Sequence, residues 1–245
     1  MPEKAPFAPN PNAKRRPAAP KKRGAPVSKR ETAEERSRRA AAVAARLAAA
    51  YPGAECPLTH RNTFELLVAV ILSAQCTDAA VNKVTPALFE RYATPAALAR
   101  ASTDEVEALI RTLGLFRAKA RSLKRCAQQL IDEFHGEVPS SMEDLTRLAG
   151  VGRKTANVIR GHAFDLPGIA VDTHCKRLSR RLGFTRQQDP VKIEHDLSRL
   201  LAPEEWTNFS HRLILHGRAV CHARKPNCAK CTLHKLCPSR DQERG

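Results

Sequence analysis

The stretch Leu148-Ala149-Gly150-Val151-Gly152-Arg153-Lys154 decides how this chain is read. It joins two segments of helical pattern, one around Asp144 and one over residues 153–164. Gly150 and Gly152 permit backbone angles that a side chain forbids, so the connection can be a very tight turn. Its amides then point outward beside the start of the second helix, where backbone donors and the positive end of the dipole bind a phosphate. Such a contact grips a nucleic-acid backbone without reading its sequence. An ordinary turn between packed helices would use the same glycines, but it does not call for Arg153 and Lys154 directly after them. Cations in a first turn oppose the helix dipole. Either bound phosphate compensates them, or the field favours a neutral Lys154 amine, a nucleophile able to form a Schiff base with a sugar carbon.

Outward from that turn the chain reads as helix after helix. Thr32 with Glu35, and Ser102 with Glu105, have the spacing of capping boxes, while Asn62 and Glu65 cap a further helix. That helix, Phe64 to Leu72, is apolar on nearly all sides and is expected to be central and buried. Thr94-Pro95 starts another, and Gly114 and Gly136 act as stops. Further helices are expected at 118–134, 141–148, 153–164, 173–182, 190–201 and 203–218, with only Gly168–Val171 extended. The fold class is therefore all-α, with about ten helices and short loops.

Lysine and arginine total 42 against 25 acidic residues, a net charge of +17, which calls for a polyanionic partner such as DNA or RNA. Only 4% of residues are aromatic, so base stacking on exposed aromatic platforms is excluded as the main binding mode. No apolar run has membrane-spanning length and the start lacks a signal-peptide core, so no membrane partner and an intracellular setting are expected. Residues 1–30 hold nine basic residues, one acid and seven prolines and are expected to form a disordered basic tail. Removing the tail's net eight charges leaves about +9 on the body. High alanine and arginine content suggests a bacterial, nucleoid-associated cytoplasmic protein; in a eukaryote the tail's clusters would read as nuclear import signals.

Cys221, Cys228, Cys231 and Cys237 form C-x6-C-x2-C-x5-C within 17 residues. Four thiolates this close suit tetrahedral zinc or a [4Fe–4S] cluster, and spacing alone leaves both open. A single C-x2-C pair leans towards iron–sulfur. Cys56, Cys76, Cys126 and Cys175 fall at or beside apolar helix positions and read as small core side chains.

Leu148–Asn157 together with Ile169-Ala170-Val171-Asp172-Thr173-His174 resembles the helix–hairpin–helix of the endonuclease III family of DNA glycosylases, over about residues 31–240. The resemblance implies a six-helix barrel domain over 56–166, with the hairpin near 143–164. A second helical domain, from 31–55 and 167–245, would hold a [4Fe–4S] cluster on the four C-terminal cysteines, with the DNA cleft between the two. It implies Lys154 as nucleophile and Asp172 as the essential carboxylate, although an N-cap role explains Asp172 equally simply. Gly150, Gly152 and Arg153 would meet phosphates, as would Arg224, Lys225 and Lys230 of the cysteine loop. A base must leave the stack before its glycosidic bond is attacked. Leu72–Asp78 resembles the segment whose glutamine, here Gln75, fills the vacated space, and Gly114-Leu115-Phe116 the loop whose leucine wedges the opposite strand. Gln75 as a helix cap and Leu115 as a core contact are the simpler alternatives; His174 would sit near the sugar or on the surface.

Three positions depart from the family pattern: Ala149 stands for proline, Cys76 for alanine and Cys175 for an aliphatic residue. The implied activity is a monomeric, bifunctional glycosylase and apurinic/apyrimidinic lyase, removing oxidised pyrimidines from duplex DNA and cutting the strand by β-elimination. An adenine- or thymine-mismatch glycosylase is the nearest rival. Those relatives typically lack the hairpin lysine, and the adenine enzymes carry a further domain that has no room in the eight residues after Cys237. A non-catalytic DNA-binding protein would explain the charge, glycines and cysteines but not Lys154 with Asp172.

Overall fold

The computed structural model describes residues 31–54 and 56–240, so the expected basic tail lies outside the described residues. All regular structure among these residues is helical. In chain order the α-helices are α1 (Ala33–Ala50), α2 (Thr63–Leu72), α3 (Asp78–Arg91), α4 (Pro95–Arg100), α5 (Thr103–Ile110) and α6 (Phe116–Phe134). They continue with α7 (Met142–Arg147), α8 (Arg153–Ala163), α9 (Thr173–Arg181), α10 (Pro190–Ser198) and α11 (Trp206–Ala219). No described helix is long and apolar enough to cross a membrane.

Helix ends follow the local chemistry. Both capping boxes form, at Thr32/Glu35 and Ser102/Glu105. At α2 Asn62 caps the amide of Glu65, but the Glu65 carboxylate takes the amide and guanidinium of Arg61 instead of closing a box. Gly136, at φ +85, closes α6 by donating its N–H to the Leu130 carbonyl at 2.8 Å. Helix α3 has no counterpart in the sequence reading: Pro86 stands inside it and obscures its period. The expected helix over 203–218 begins as a 3-10 turn at Pro203–Glu205, and α10 stops at Ser198.

Apolar side chains collect in two clusters. One draws on residues from Leu58 to Ile159, with Phe64–Leu72 of α2 wholly buried within it. The other joins Ala40, Val43 and Leu47 of α1 to residues from Ile169 to Leu233. Helix α2 packs on α8, and α11 on α9, α8 and α1. The extended stretch between α8 and α9 passes from one cluster to the other. Asn157 ties it down, donating to the Ile169 carbonyl at 3.0 Å.

Candidate active site and cysteine pocket

The tight turn before α8 owes its shape to one glycine. Gly150 has φ +84, and a Cβ there would stand 3.1 Å from Ile71 Cγ2 and 3.2 Å from Ser122 Cβ. Gly152 is different: its backbone is ordinary extended chain (φ −97, ψ 172), and a Cβ would meet nothing within 4 Å. Its bareness leaves the outer face of the turn open. As N-cap, Gly152 supplies no side-chain acceptor, so the first amides of α8 lack a side-chain cap. The proline-to-alanine departure is compensated inside the fold. The N–H that Ala149 has and proline lacks donates to Gln129 Oε1 at 2.8 Å, while Gln129 Nε2 donates to the Arg147 carbonyl at 3.1 Å.

Lys154 and Asp172 line one cavity of about 230 Å³, which also takes Gln75 into its wall. Among the described residues the Lys154 side chain has no ion pair or hydrogen bond. Asp172 takes the N-cap role: at the start of α9 its Oδ1 accepts from the Cys175 amide at 2.7 Å, and the residue also lines the cavity. Behind it the Cys175 thiol is fully buried and pushed up to about 12, chiefly by burial, with the Asp172 charge adding and that of Lys154 opposing. The two cavity charges therefore lie within electrostatic reach of one sulfur.

The cavity contains groups that pattern reading missed, because they come from α3, α8 and α11 and meet only in the fold. Asp78 at the start of α3 pairs with Arg218 near the end of α11 at 2.9 Å. His162 and His211 meet edge to face at 5.8 Å, and burial, with mutual repulsion at His162, holds both below the usual histidine range. No single segment carries this set, so spacing offered no signal for it.

Gln75 and Leu115 share a conformation. Both have left-handed backbones, φ 57 and φ 59, and both are exposed, Leu115 by 60%. Left-handed φ costs a side-chain-bearing residue of order 1–3 kcal/mol and persists where the surroundings impose it, often at functional sites. Neither a helix cap for Gln75 nor a core contact for Leu115 describes what is found. Arg153 turns away from the turn, its guanidinium forming two bonds to Glu194 of α10 at 2.8 and 2.9 Å. His174 packs against Gly217 of α11 and accepts or shares a hydrogen with Arg177 at 3.1 Å, outside the cavity wall.

The four C-terminal cysteines line a second, smaller pocket. Arg181 Nη1 donates to Cys221 Sγ at 3.1 Å and to the His222 carbonyl at 2.6 Å. Buried His216 bridges the Tyr51 hydroxyl at 3.0 Å and Cys231 Sγ at 3.3 Å. Among the described residues no three donors lie close enough to share a single metal ion. Arg224, Lys225 and Lys230 stand exposed on the loop over this pocket.

Comparison with known proteins agrees with this geometry. The family described as "HhH-GPD superfamily base excision DNA repair protein" matches residues 68–203. Endonuclease III of Synechocystis sp. is 55% identical over 190 residues, covering 77% of this chain and 87% of the relative. Endonuclease III of Bacillus subtilis is 47% identical over 188 residues, covering 76% and 86%. A solved structure described as a trapped endonuclease III–DNA covalent intermediate superposes with a TM-score of 0.79 at 47% identity, covering 83% of this chain and 96% of that one. With an open cavity that joins a hairpin lysine to a capping aspartate, the chain belongs to the endonuclease III family of base-excision-repair DNA glycosylases.

Proposed function

We propose that this chain removes oxidised pyrimidines from duplex DNA and then cuts the strand at the resulting abasic site, with Lys154 as nucleophile. The observation that carries this is the shared cavity of Lys154 and Asp172, beside a helix start without a side-chain cap and with the exposed, left-handed Gln75 in its wall. The amides of the Gly150–Lys154 turn hold a phosphate, placing the neighbouring sugar over the cavity. Gln75 and Leu115 enter the helix and keep the base out of the stack. As the glycosidic bond breaks, positive charge grows on the sugar, and Asp172 stabilises it through a carboxylate fixed by its cap bond. The Lys154 amine bonds to C1′ as the glycosidic bond breaks, the amine giving up a proton and the base leaving with one. The C1′–O4′ bond then opens, O4′ taking a proton, and the resulting Schiff base makes the C2′ proton acidic. Its loss expels the 3′ phosphate. Exposed Arg224, Lys225 and Lys230 add phosphate contacts that raise affinity without sequence preference.

The same proposal makes the two apolar clusters two lobes of a monomer: a barrel over 56–166, and a partner lobe from 31–55 and 167–245. DNA would lie along the cleft between them. For the cysteines we favour a [4Fe–4S] cluster held by Cys221, Cys228, Cys231 and Cys237. All four share one pocket, and four thiolates suit such a cluster with one sulfur at each iron. The Arg181 N–H facing Cys221 sulfur, with His216 Nε2 3.3 Å from Cys231 sulfur, suits a thiolate-rich group. Bound there, the cluster cross-links a loop that has little core of its own. Iron and sulfide analysis of the purified protein tests this, and stoichiometric zinc without iron overturns it.

Borohydride added during turnover tests the main proposal. A covalent complex with DNA bearing an oxidised pyrimidine is expected, and Lys154→Ala is expected to abolish it. Base release without trapping would favour the monofunctional mismatch enzyme, and DNA binding without either activity would favour a binding module.

A further inference from the structure

Lys119 of α6 is 5% exposed, yet no ion pair reaches it among the described residues. Its one side-chain hydrogen bond there runs from Nζ to the sulfur of Cys76, at 2.9 Å. A buried ammonium is costly unless an anion or strong acceptor faces it. No carboxylate is in place to do so, and the Cys76 sulfur is the acceptor within reach. Cys76 differs in this from the other cysteines outside the cluster pocket. Burial alone pushes Cys126 up to about 12, Cys175 is likewise raised to about 12 chiefly by burial, and burial is the leading cause that raises Cys56. No ammonium donates to any of these three sulfurs among the described residues.

The location gives the pair a consequence. Cys76 follows Gln75 directly, and its sulfur lies 4.0 Å from the carbonyl oxygen of Gly114, the residue before Leu115. A Cβ on Gly114 would stand 3.9 Å from the same sulfur. Lys119 in turn closes the Leu115 turn, its backbone N–H bonding the Leu115 carbonyl at 3.0 Å. One partly exposed sulfur therefore sits between the two left-handed residues that enter the DNA, with van der Waals contact on the Gly114 side and an ammonium on the other.

We propose that Cys76 is a peroxide-reactive thiolate, paired with Lys119, whose oxidation to the sulfenic acid disables the two DNA-entering turns. The Cys76 sulfur attacks one oxygen of a hydroperoxide. An S–O bond forms as the O–O bond breaks; sulfur is oxidised by two electrons and the peroxide is reduced. The departing hydroxide takes a proton from the Lys119 ammonium and leaves as water. The added oxygen and the loss of the charge pair force Gly114 and Gln75 apart. The thiol chemistry stands on the pair alone; its effect on DNA binding rests on the roles proposed above for Gln75 and Leu115.

The holoprotein is treated with hydrogen peroxide, trapped with dimedone and mapped by peptide mass spectrometry. Labelling of Cys76 at least tenfold above Cys56, Cys126 and Cys175 is expected, falling about tenfold in Lys119→Met. Equal labelling of the four, or an unchanged rate in a folded Lys119→Met, overturns the proposal. If Lys119→Met does not fold, the comparison among the four wild-type cysteines decides by itself. Peroxide should also weaken binding to a duplex holding an abasic analogue about tenfold in the wild type and not in Cys76→Ser. Loss of affinity in both overturns the regulatory role. Leu115→Ala without peroxide separates the two levels: full affinity there shows that the assignment of the turns, and not the thiol chemistry, has failed.

Discussion

Around the cavity, Lys154 carries no ion pair among the described residues, and Asp172 holds its helix through one oxygen while facing open space. Around the cysteine pocket two arginines are pinned. Arg177 donates to the carbonyls of Gly217 and Cys221, and Arg181 to those of His222 and Ala223 as well as to Cys221 sulfur. The cavity leaves Lys154 available, although Arg218 in its wall pairs with Asp78, whereas the cysteine pocket consumes Arg177 and Arg181 in fixing a loop. A group that must bond to substrate stays unpaired within a rigid frame, whereas one that supports a frame satisfies its donors internally. The difference is what separates chemistry from scaffolding here.

The strongest challenge to this contrast is Asp172→Asn. Asparagine caps a helix as well as aspartate does, so the melting temperature should barely move while base release falls about 10²–10³-fold in single-turnover assays. Equal losses of both would reduce Asp172 to a cap. Arg181→Leu probes the other side. Stripping donors from several part-buried acceptors should cost about 1–3 kcal/mol in urea unfolding and hasten loss of bound metal, with turnover per folded molecule kept. Gly150→Ala attacks the frame of the cavity. A methyl forced into left-handed backbone against Ile71 and Ser122 should cost about 1–3 kcal/mol and weaken binding to undamaged duplex as well.

Smaller effects sharpen the same comparison. Gln129→Leu orphans the Ala149 N–H and should cost about 1 kcal/mol. Adding Ala149→Pro, which removes that donor, should recover most of the loss. The mildest test uses pH. His162 and His211 titrate below the ordinary value of 6.5 in the folded chain, so the fold favours their neutral forms. Their contribution to stability is complete above pH 6.5 and is lost as pH falls through their lowered values. Replacing both with glutamine should flatten that acid limb by up to two protons in stability-against-pH measurements.

Much of this was legible in the chain itself, for local reasons. Capping boxes act over three residues, a glycine stop acts on its own φ, and the apolar faces of α2 and α6 repeat at helical period, so each is written within a few positions. The hairpin lysine, the aspartate before α9 and the cysteine spacing are equally local. Helix α3 was missed because Pro86 interrupts its pattern, and Gly152 was credited with a conformational need that Gly150 alone has.

What only the tertiary structure decided is which distant groups meet. Glu194 takes Arg153 from 41 residues away, Lys119 finds Cys76 across 43, and Arg218 reaches Asp78 across 140. Side-chain bonds of this kind depend on how helices pack, and packing is settled by the summed burial of two apolar clusters and not by any short stretch of residues. The sequence determined the helices and the chemical groups they carry; the packing determined which of those groups are left free to act.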